Sequence, residues 1–213
     1  MEKMKHSVNR LGVLGGSFDP VHMAHLLVAE TVREALSLDL VLFVPTGVQP
    51  LKQGRPVTPA EHRVKMLELA THGNPCFGIS RVDVDREGPS YTVDTVRHLR
   101  EEWGGEGLQM WFILGADSFA SFPMWRDPLG ILSQTRLAVV WRPGVRADPV
   151  VLEGRLPGIG ASVDWVDAPR LEISATDIRQ RVAAGGSIRY RVPGTVREYI
   201  EANGLYRGAR ESG

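Results

Sequence analysis

RLGVLGGSFDPVHMAHLLVAETVREALSL, Arg10–Leu38, changes its period in the middle. RLGVLGG (10–16) is a short apolar run, the pattern of a strand buried in a sheet. From His22 the chain reads differently. HMAHLLVAETVREALSL (22–38) sets Leu26, Ala29, Val32 and Leu36 at helical spacing, which predicts a helix. Between the two lies GGSFDPVH. Gly15 and Gly16 let the backbone approach a ligand closely. The amides that follow and the start of the helix form an anion site, because unpaired N–H groups and the helix dipole point the same way. His22 and His25 are three apart and share a face, so two imidazoles on a positive helix end can donate to phosphate oxygens. A plainer reading keeps Gly-Gly as a tight turn, Asp19-Pro20 as a helix entry and the histidines as incidental.

Outward from this stretch the alternation continues. LVLFVP (40–45), CFGISRVDV (76–84), LQMWFILG (108–115), RLAVVWRPG (136–144) and SVDWVDAP (162–169) predict five more strands. Helices are predicted over 58–71, 91–103, 175–185 and 192–204, the first from a start signal of Thr58, Pro59 and Glu61. Residues 116–134 read as irregular with short helices, 46–58 as a loop, and 145–160 as a loop or a poorly defined helix. Such alternation predicts one doubly wound α/β domain, a mostly parallel sheet with helices on both faces, over residues 10–206. Residues 1–9 and 207–213 are read as tails. In these sheets ligands sit beyond the carboxyl ends of the strands. The loops after strands one, two, four and six are therefore where chemistry is expected.

Composition narrows the class. Basic and acidic residues balance at 25 each in a chain of 213 residues, which argues against a polybasic nucleic-acid platform. The single cysteine, Cys76, excludes an internal disulfide and a cysteine-based zinc cage. MEKMKHSVNR lacks a signal-peptide pattern, and no apolar run approaches the ~20 residues that span a bilayer. The chain reads as cytoplasmic, with no membrane partner.

Two further segments bear on the anion site. ISATDIRQR (173–181) sets Ser174 three before Asp177, a capping box that opens a helix with Arg179 near its start. LGAD, at the end of the fourth strand, puts Gly115 against a ligand and Asp117 within reach of a ribose hydroxyl. No G-x-G-x-x-G or G-K-[ST] follows the first strand, and H-x-x-H lacks a third metal ligand nearby.

GGSFDPVHMAH resembles the signature of nucleotidyltransferases with an H-x-G-H motif, which transfer NMP units from NTPs. Ala24 stands where Gly is commonest. ISATDIR is similar to a second signature of that superfamily, with Ala175 where Ser is usual. EGPSYTVDTVRHL (87–99), FILGADSFASFPMWRD (112–127) and VPGTVREYIEANGLY (192–206) resemble a narrower family, the bacterial nicotinate-mononucleotide adenylyltransferases, in the same order along the chain.

That resemblance implies a Rossmann-like fold and adenylyl transfer from ATP to nicotinate mononucleotide. His22, His25 and Arg179 are its implied catalytic residues, Arg179 meeting the departing pyrophosphate. Gly15, Gly16, Gly115, Asp117, Ile173 and Ser174 are implied to bind ATP. Ser17, Phe18, Lys52, Thr92 and Trp125 are implied to bind nicotinate mononucleotide, the last two framing its ring. Mg²⁺ is expected to arrive with ATP, with no metal site built from the protein. In the loop VPTGVQPLKQ, Leu51 replaces the histidine the family usually carries before the lysine. A homo-oligomer is left open. So are two other readings, a transferase for another acceptor such as phosphopantetheine and a non-catalytic nucleotide-binding module on the same fold.

Overall fold

The computed structural model describes residues 7–47, 57–104, 107–141 and 152–207. Its strands are β1 (Arg10–Gly16), β2 (Leu40–Pro45), β3 (Phe77–Ile79), β4 (Gln109–Gly115), β5 (Arg136–Trp141) and β6 (Val163–Asp167). Its helices are α1 (Met23–Ala35), α2 (Ala60–Thr71), α3 (Thr92–Trp103), α4 (Ala116–Ala120), α5 (Pro128–Leu132), α6 (Ala175–Ala183) and α7 (Gly194–Ala202). All six strands pair in parallel, in the order β3-β2-β1-β4-β5-β6. This is the doubly wound α/β arrangement expected from the alternation.

Alternate residues of each strand face opposite sides of a sheet, and the two cores follow from that. On one face Val41, Phe43, Ile113 and Ala138 pack with Ala29 and Val32 of α1, Met66 and Leu67 of α2, Ile178 of α6, and Val196 and Ile200 of α7. On the other, Leu42, Val44, Phe112 and Leu114 pack with Val93, Val96, Leu99 and Trp103 of α3, Phe119 of α4 and Ile131 of α5. Each Val, Leu, Ile, Phe or Met among them contributes roughly 1.5–3 kcal/mol on burial. No helix among the described residues is long and apolar enough to cross a membrane.

Several boundaries differ from the sequence reading. The third strand, expected over 76–84, stops after Ile79. It lies at the sheet edge and matches only Val41–Phe43 of β2. After a last bond from Ser80 N–H to the Phe43 carbonyl (3.0 Å), the chain turns so that the Val84 and Asp85 amides bond the Arg81 carbonyl. Thr58 does not cap α2. Pro59 is the residue before its first turn, with no side-chain cap, and Glu61 pairs instead with Arg81 (2.7 Å). Residues 142–144 of the expected fifth strand, and the loop from 145 to 151, lie outside the described residues.

Candidate active site

β1 and β4 are neighbours in the sheet, and the strand order runs away from them in opposite directions. The chain leaving β1 enters α1 on one face; the chain leaving β4 enters α4 on the other. A crevice therefore opens at their carboxyl ends. It holds a cavity of about 550 Å³, within the range of small-molecule sites. Gly15 and Gly16 line it from β1, Gly115 from β4, and Val44 and Thr46 from the exit of β2.

Four helix starts meet this cavity: His22 and His25 at α1, Thr92 at α3, Gly115 at α4, and Ser174 with Ala175 at α6. The positive end of the helix dipole makes each a place for negative charge, although at α1 the Met23 N–H is already taken by the Arg191 carbonyl (2.9 Å). Ser174 accepts from the Asp177 N–H (3.1 Å), so it caps α6 as expected. The return half of the expected capping box is absent, because the Asp177 carboxylate bonds Arg181 (3.0 Å) and Arg191 (2.9 Å) instead. Among the described residues no side chain caps α3.

The two histidines are stacked, their ring centres 3.6 Å apart and their planes nearly parallel, at 19°. His25 Nδ1 accepts from the His22 N–H (3.2 Å). A ring nitrogen that accepts carries no proton, so neutral His25 holds its proton on Nε2, as a donor. The His25 N–H is taken by the His22 carbonyl (2.9 Å), and the buried His22 Nδ1 has no hydrogen-bond partner among the described residues. Burial lowers the His22 pKa from 6.5 to about 4. Burial, and then the charge His22 would carry, hold His25 well below the usual histidine range. At neutral pH both rings are uncharged.

The turn beneath them is held from three distant elements. Phe18 has φ of 48°, a left-handed backbone that costs a non-glycine residue about 1–3 kcal/mol. Its ring is 1% exposed, edge-on to His25 (5.0 Å) and against Phe43 (5.7 Å), and that burial offsets the cost. A Cβ on Gly16 would come within 3.1 Å of the same ring. The buried Arg63 donates to the Ser17 carbonyl (2.8 Å) and the Thr58 carbonyl (2.9 Å). Tyr206 donates to the Asp19 carboxylate (2.7 Å), and Arg179 to the Asp19 carbonyl (2.6 Å).

Nine of the residues named from the sequence therefore share one cavity: Gly15, Gly16, His22, His25, Thr92, Gly115, Trp125, Ile173 and Ser174. Trp125 is half-buried, edge-on to Phe112 (5.9 Å) and tilted against Phe122 (5.4 Å), so it serves the core and the cavity wall together. Asp117 lines an adjoining cavity of about 470 Å³, which shares Ala24, Val28 and Ser174 with the first. Three named residues stand apart from the cavity wall. The Phe18 side chain belongs to the core, Ser17 offers its carbonyl to Arg63, and Arg179 turns onto Asp19 O and Thr176 Oγ1 (3.2 Å). Lys52 and Leu51 lie outside the described residues. Asp83, Ser90 and Thr95 line the cavity and were not found from the sequence. SYTVDT, just after DREG, was their nearest signal, but only folding shows that the chain from β3 turns back beneath α3.

Residues 13–181 match the family model described as cytidylyltransferase-like. A relative from Thermomicrobium roseum, named "Probable nicotinate-nucleotide adenylyltransferase", is 48% identical over 200 residues, covering 94% of this chain and 92% of its own length. A relative of the same name from Roseiflexus sp. is 48% identical over 198 residues, 92% of this chain and 98% of its own. Among solved structures, the Plasmodium falciparum nicotinic acid mononucleotide adenylyltransferase complexed with NaAD superposes with a TM-score of 0.74. That match covers 93% of this chain and 97% of the other at 18% identity, a likeness of fold. Identity near one half along almost the whole of both chains decides the matter: this chain belongs to the nicotinate-nucleotide adenylyltransferase family of cytidylyltransferase-like nucleotidyltransferases.

Proposed function

We propose that this protein transfers the adenylyl group of ATP to nicotinate mononucleotide, giving deamido-NAD and pyrophosphate. The observation that carries the reading is one cavity with two unlike walls. One wall presents the starts of α1 and α6 with His22, His25 and Ser174; the other presents the uncapped start of α3 with Thr92 and the indole of Trp125. The first suits a chain of phosphates. The second suits a flat ring bearing a carboxylate, which an open helix start can receive. The names of the curated relatives support the same acceptor.

In the proposed reaction an oxygen of the acceptor phosphate attacks the α-phosphorus of ATP in line. The new P–O bond forms as the bond from the α-phosphorus to the bridging oxygen breaks, and pyrophosphate leaves with the electron pair. The nucleophile is already an anion, so no base and no covalent intermediate are required. Positioning and charge stabilisation supply the rate. His25 Nε2–H is the donor best fixed for this work, because its other nitrogen is already committed. Arg179 has five N–H donors and uses two of them among the described residues; it is assigned to the pyrophosphate. Ser17 and Phe18 act through the backbone of their turn, with Lys52, on the acceptor phosphate. Asp117 is assigned to the adenosine ribose.

Mg²⁺ enters as part of the ATP substrate. Phosphate oxygens and water are assigned as its ligands, since Mg²⁺ usually keeps several waters and binds through substrate phosphates.

The test supplies purified protein with Mg-ATP and, separately, nicotinate mononucleotide, nicotinamide mononucleotide and phosphopantetheine, and measures pyrophosphate. Release with the nicotinate form above both others is expected. Release with phosphopantetheine alone overturns the acceptor. No release with any acceptor, in a protein that binds ATP, points to the non-catalytic module.

A further inference from the structure

Asp83 is a buried carboxylate that the reaction above leaves without a task. It is 4% exposed and lines the cavity together with Thr92 and Thr95 of α3. Thr95 Oγ1 donates to its Oδ1 (2.7 Å), and Arg86 donates to the same oxygen (3.0 Å). No group among the described residues donates to Oδ2. The segment is also fixed from behind. Gly47 packs so closely that a Cβ there would lie 2.2 Å from the Asp83 carbonyl, and the Gly47 N–H is held by Ser90 Oγ (3.0 Å). Loss of hydration raises the Asp83 pKa, opposed by Thr95 and Arg86. A carboxylate held in such a place favours a neutral O–H donor and repels a second anion.

The proposed acceptor has three parts. Its phosphate and its nicotinate group are anionic, and both are excluded beside Asp83 by like charge. The ribose between them is neutral and carries two hydroxyl donors. Resting on the function proposed above, we infer that Asp83 accepts a hydrogen bond through Oδ2 from a ribose hydroxyl of nicotinate mononucleotide. Asp83 thereby selects an acceptor with an intact diol, as Thr92 and Trp125 select its ring. Thr95 acts behind it as a positioning residue, fixing the plane of the carboxylate.

The test compares nicotinate mononucleotide with its 2′-deoxy and 3′-deoxy forms, reading kcat/KM by pyrophosphate release. The wild-type protein is expected to lose about 10–100-fold with one deoxy form, the range for a hydrogen bond to a charged group. Asp83→Asn, checked for folding by its melting temperature and for ATP binding by its KM, is expected to bring the intact and deoxy forms within about threefold. A purely structural role predicts the opposite: intact and deoxy acceptors fall together and their ratio is kept. That result overturns the inference. So does equal use of both deoxy forms by the wild-type protein, which needs no variant. Turnover of nicotinate mononucleotide with no discrimination removes this inference alone, whereas no turnover of it removes the proposed function as well.

Discussion

At the phosphate end of the cavity, the bonds that hold the turn reach far along the chain. Arg63 reaches back to Ser17, Arg179 to Asp19, and Tyr206 across 187 residues to the Asp19 carboxylate. At the ring end the supports reach less far: Gly47 N–H to Ser90 Oγ spans 43 residues. Two five-residue helices and a 3₁₀ turn carry Trp125, with Met124 78% exposed and Leu129 56% exposed beside it. Asp127 caps α5 from three residues away, and Arg126 covers the Tyr91 ring at 4.3 Å. Polyphosphate geometry is the same for every acceptor, so a rigid frame loses nothing there. In the proposed reaction the choice of acceptor falls to short elements whose side chains can change without loosening the core. If this contrast holds, damage at the phosphate end should cost chemistry and stability together, whereas damage at the ring end should alter acceptor use alone.

The sharpest break is His25→Ala. It removes a preset donor at the place where charge develops, and about 10²–10³-fold in kcat is expected to go with it. Steady-state pyrophosphate release checks this, with melting temperature as the folding control. Full activity in a folded His25→Ala protein would remove the phosphate end from the mechanism.

Acid tests the same pair without a mutation. The His22 pKa lies near 4 in the folded protein and near 6.5 in the unfolded chain. The unfolded chain therefore takes up a proton that the folded protein refuses. Stability is fully present above pH 6.5 and falls as pH drops toward 4, by about 3 kcal/mol from this residue. His25 adds to the loss in the same direction. Urea denaturation at several pH values should show the slope, and His22→Gln should flatten it. An unchanged slope in His22→Gln would place the acid sensitivity elsewhere. ATP works the opposite way, since phosphate charge favours the protonated rings. Binding should take up protons near pH 6, which calorimetry in buffers of different ionisation enthalpy detects.

Next in size is Arg63→Met. Two backbone carbonyls, of Ser17 and Thr58, lose their donor. An expected loss of about 2–3 kcal/mol follows from leaving both unpaired, accompanied by a rise in acceptor KM as the turn loosens. Arg126→Met is the matched change at the ring end, where an exposed guanidinium only covers Tyr91. Its expected cost is under about 1 kcal/mol. Equal costs for the two variants would erase the contrast.

These long bonds also mark how far the sequence could be read. β1, β2 and β4 are legible because each is a continuous apolar run, and α1 and α3 because their buried positions recur at helical spacing. The helix starts could be read from Ser174 and from His22 with His25. Arg63, Asp19 and Tyr206 could not be assembled, because nothing local in EHRVKM or NGLY indicates what lies across the fold. Arg179 shows a different failure. Its place in the motif is readable, but the direction of its side chain is set by the Asp19 carbonyl, a backbone group with no mark in the sequence. Asp83 was absorbed into an expected strand because RVDV continues the apolar alternation. The edge position of β3 ends pairing before that residue and turns the chain toward the cavity.

Trp125→Ala should move acceptor use and little else. Losing the indole face is expected to raise KM for nicotinate mononucleotide about 10-fold, with KM for ATP unchanged. Its edge contacts with Phe112 and Phe122 are lost as well, so melting temperature must be followed. Equal rises in both KM values would show that the ring end supports the whole cavity and is no specialised wall.

The smallest effect belongs to Ala24, which stands where the family usually carries glycine. It lies in the first turn of α1, between the two histidines, and its side lines both cavities. Glycine's greater freedom costs a helix interior about 0.5–1 kcal/mol relative to alanine, and less in a first turn. Ala24→Gly is therefore expected to lower stability by under about 1 kcal/mol and to change kcat/KM by less than about twofold. The reasoning is steric. If the methyl group only covers the wall, removing it opens space beside the phosphates assigned above to His22, His25 and Ser174. If it narrows the channel, glycine should raise kcat/KM severalfold and lower the KM for ATP. That outcome would mean the frame at the phosphate end is tuned by the smallest of its side chains, and that its rigidity alone does not set the rate.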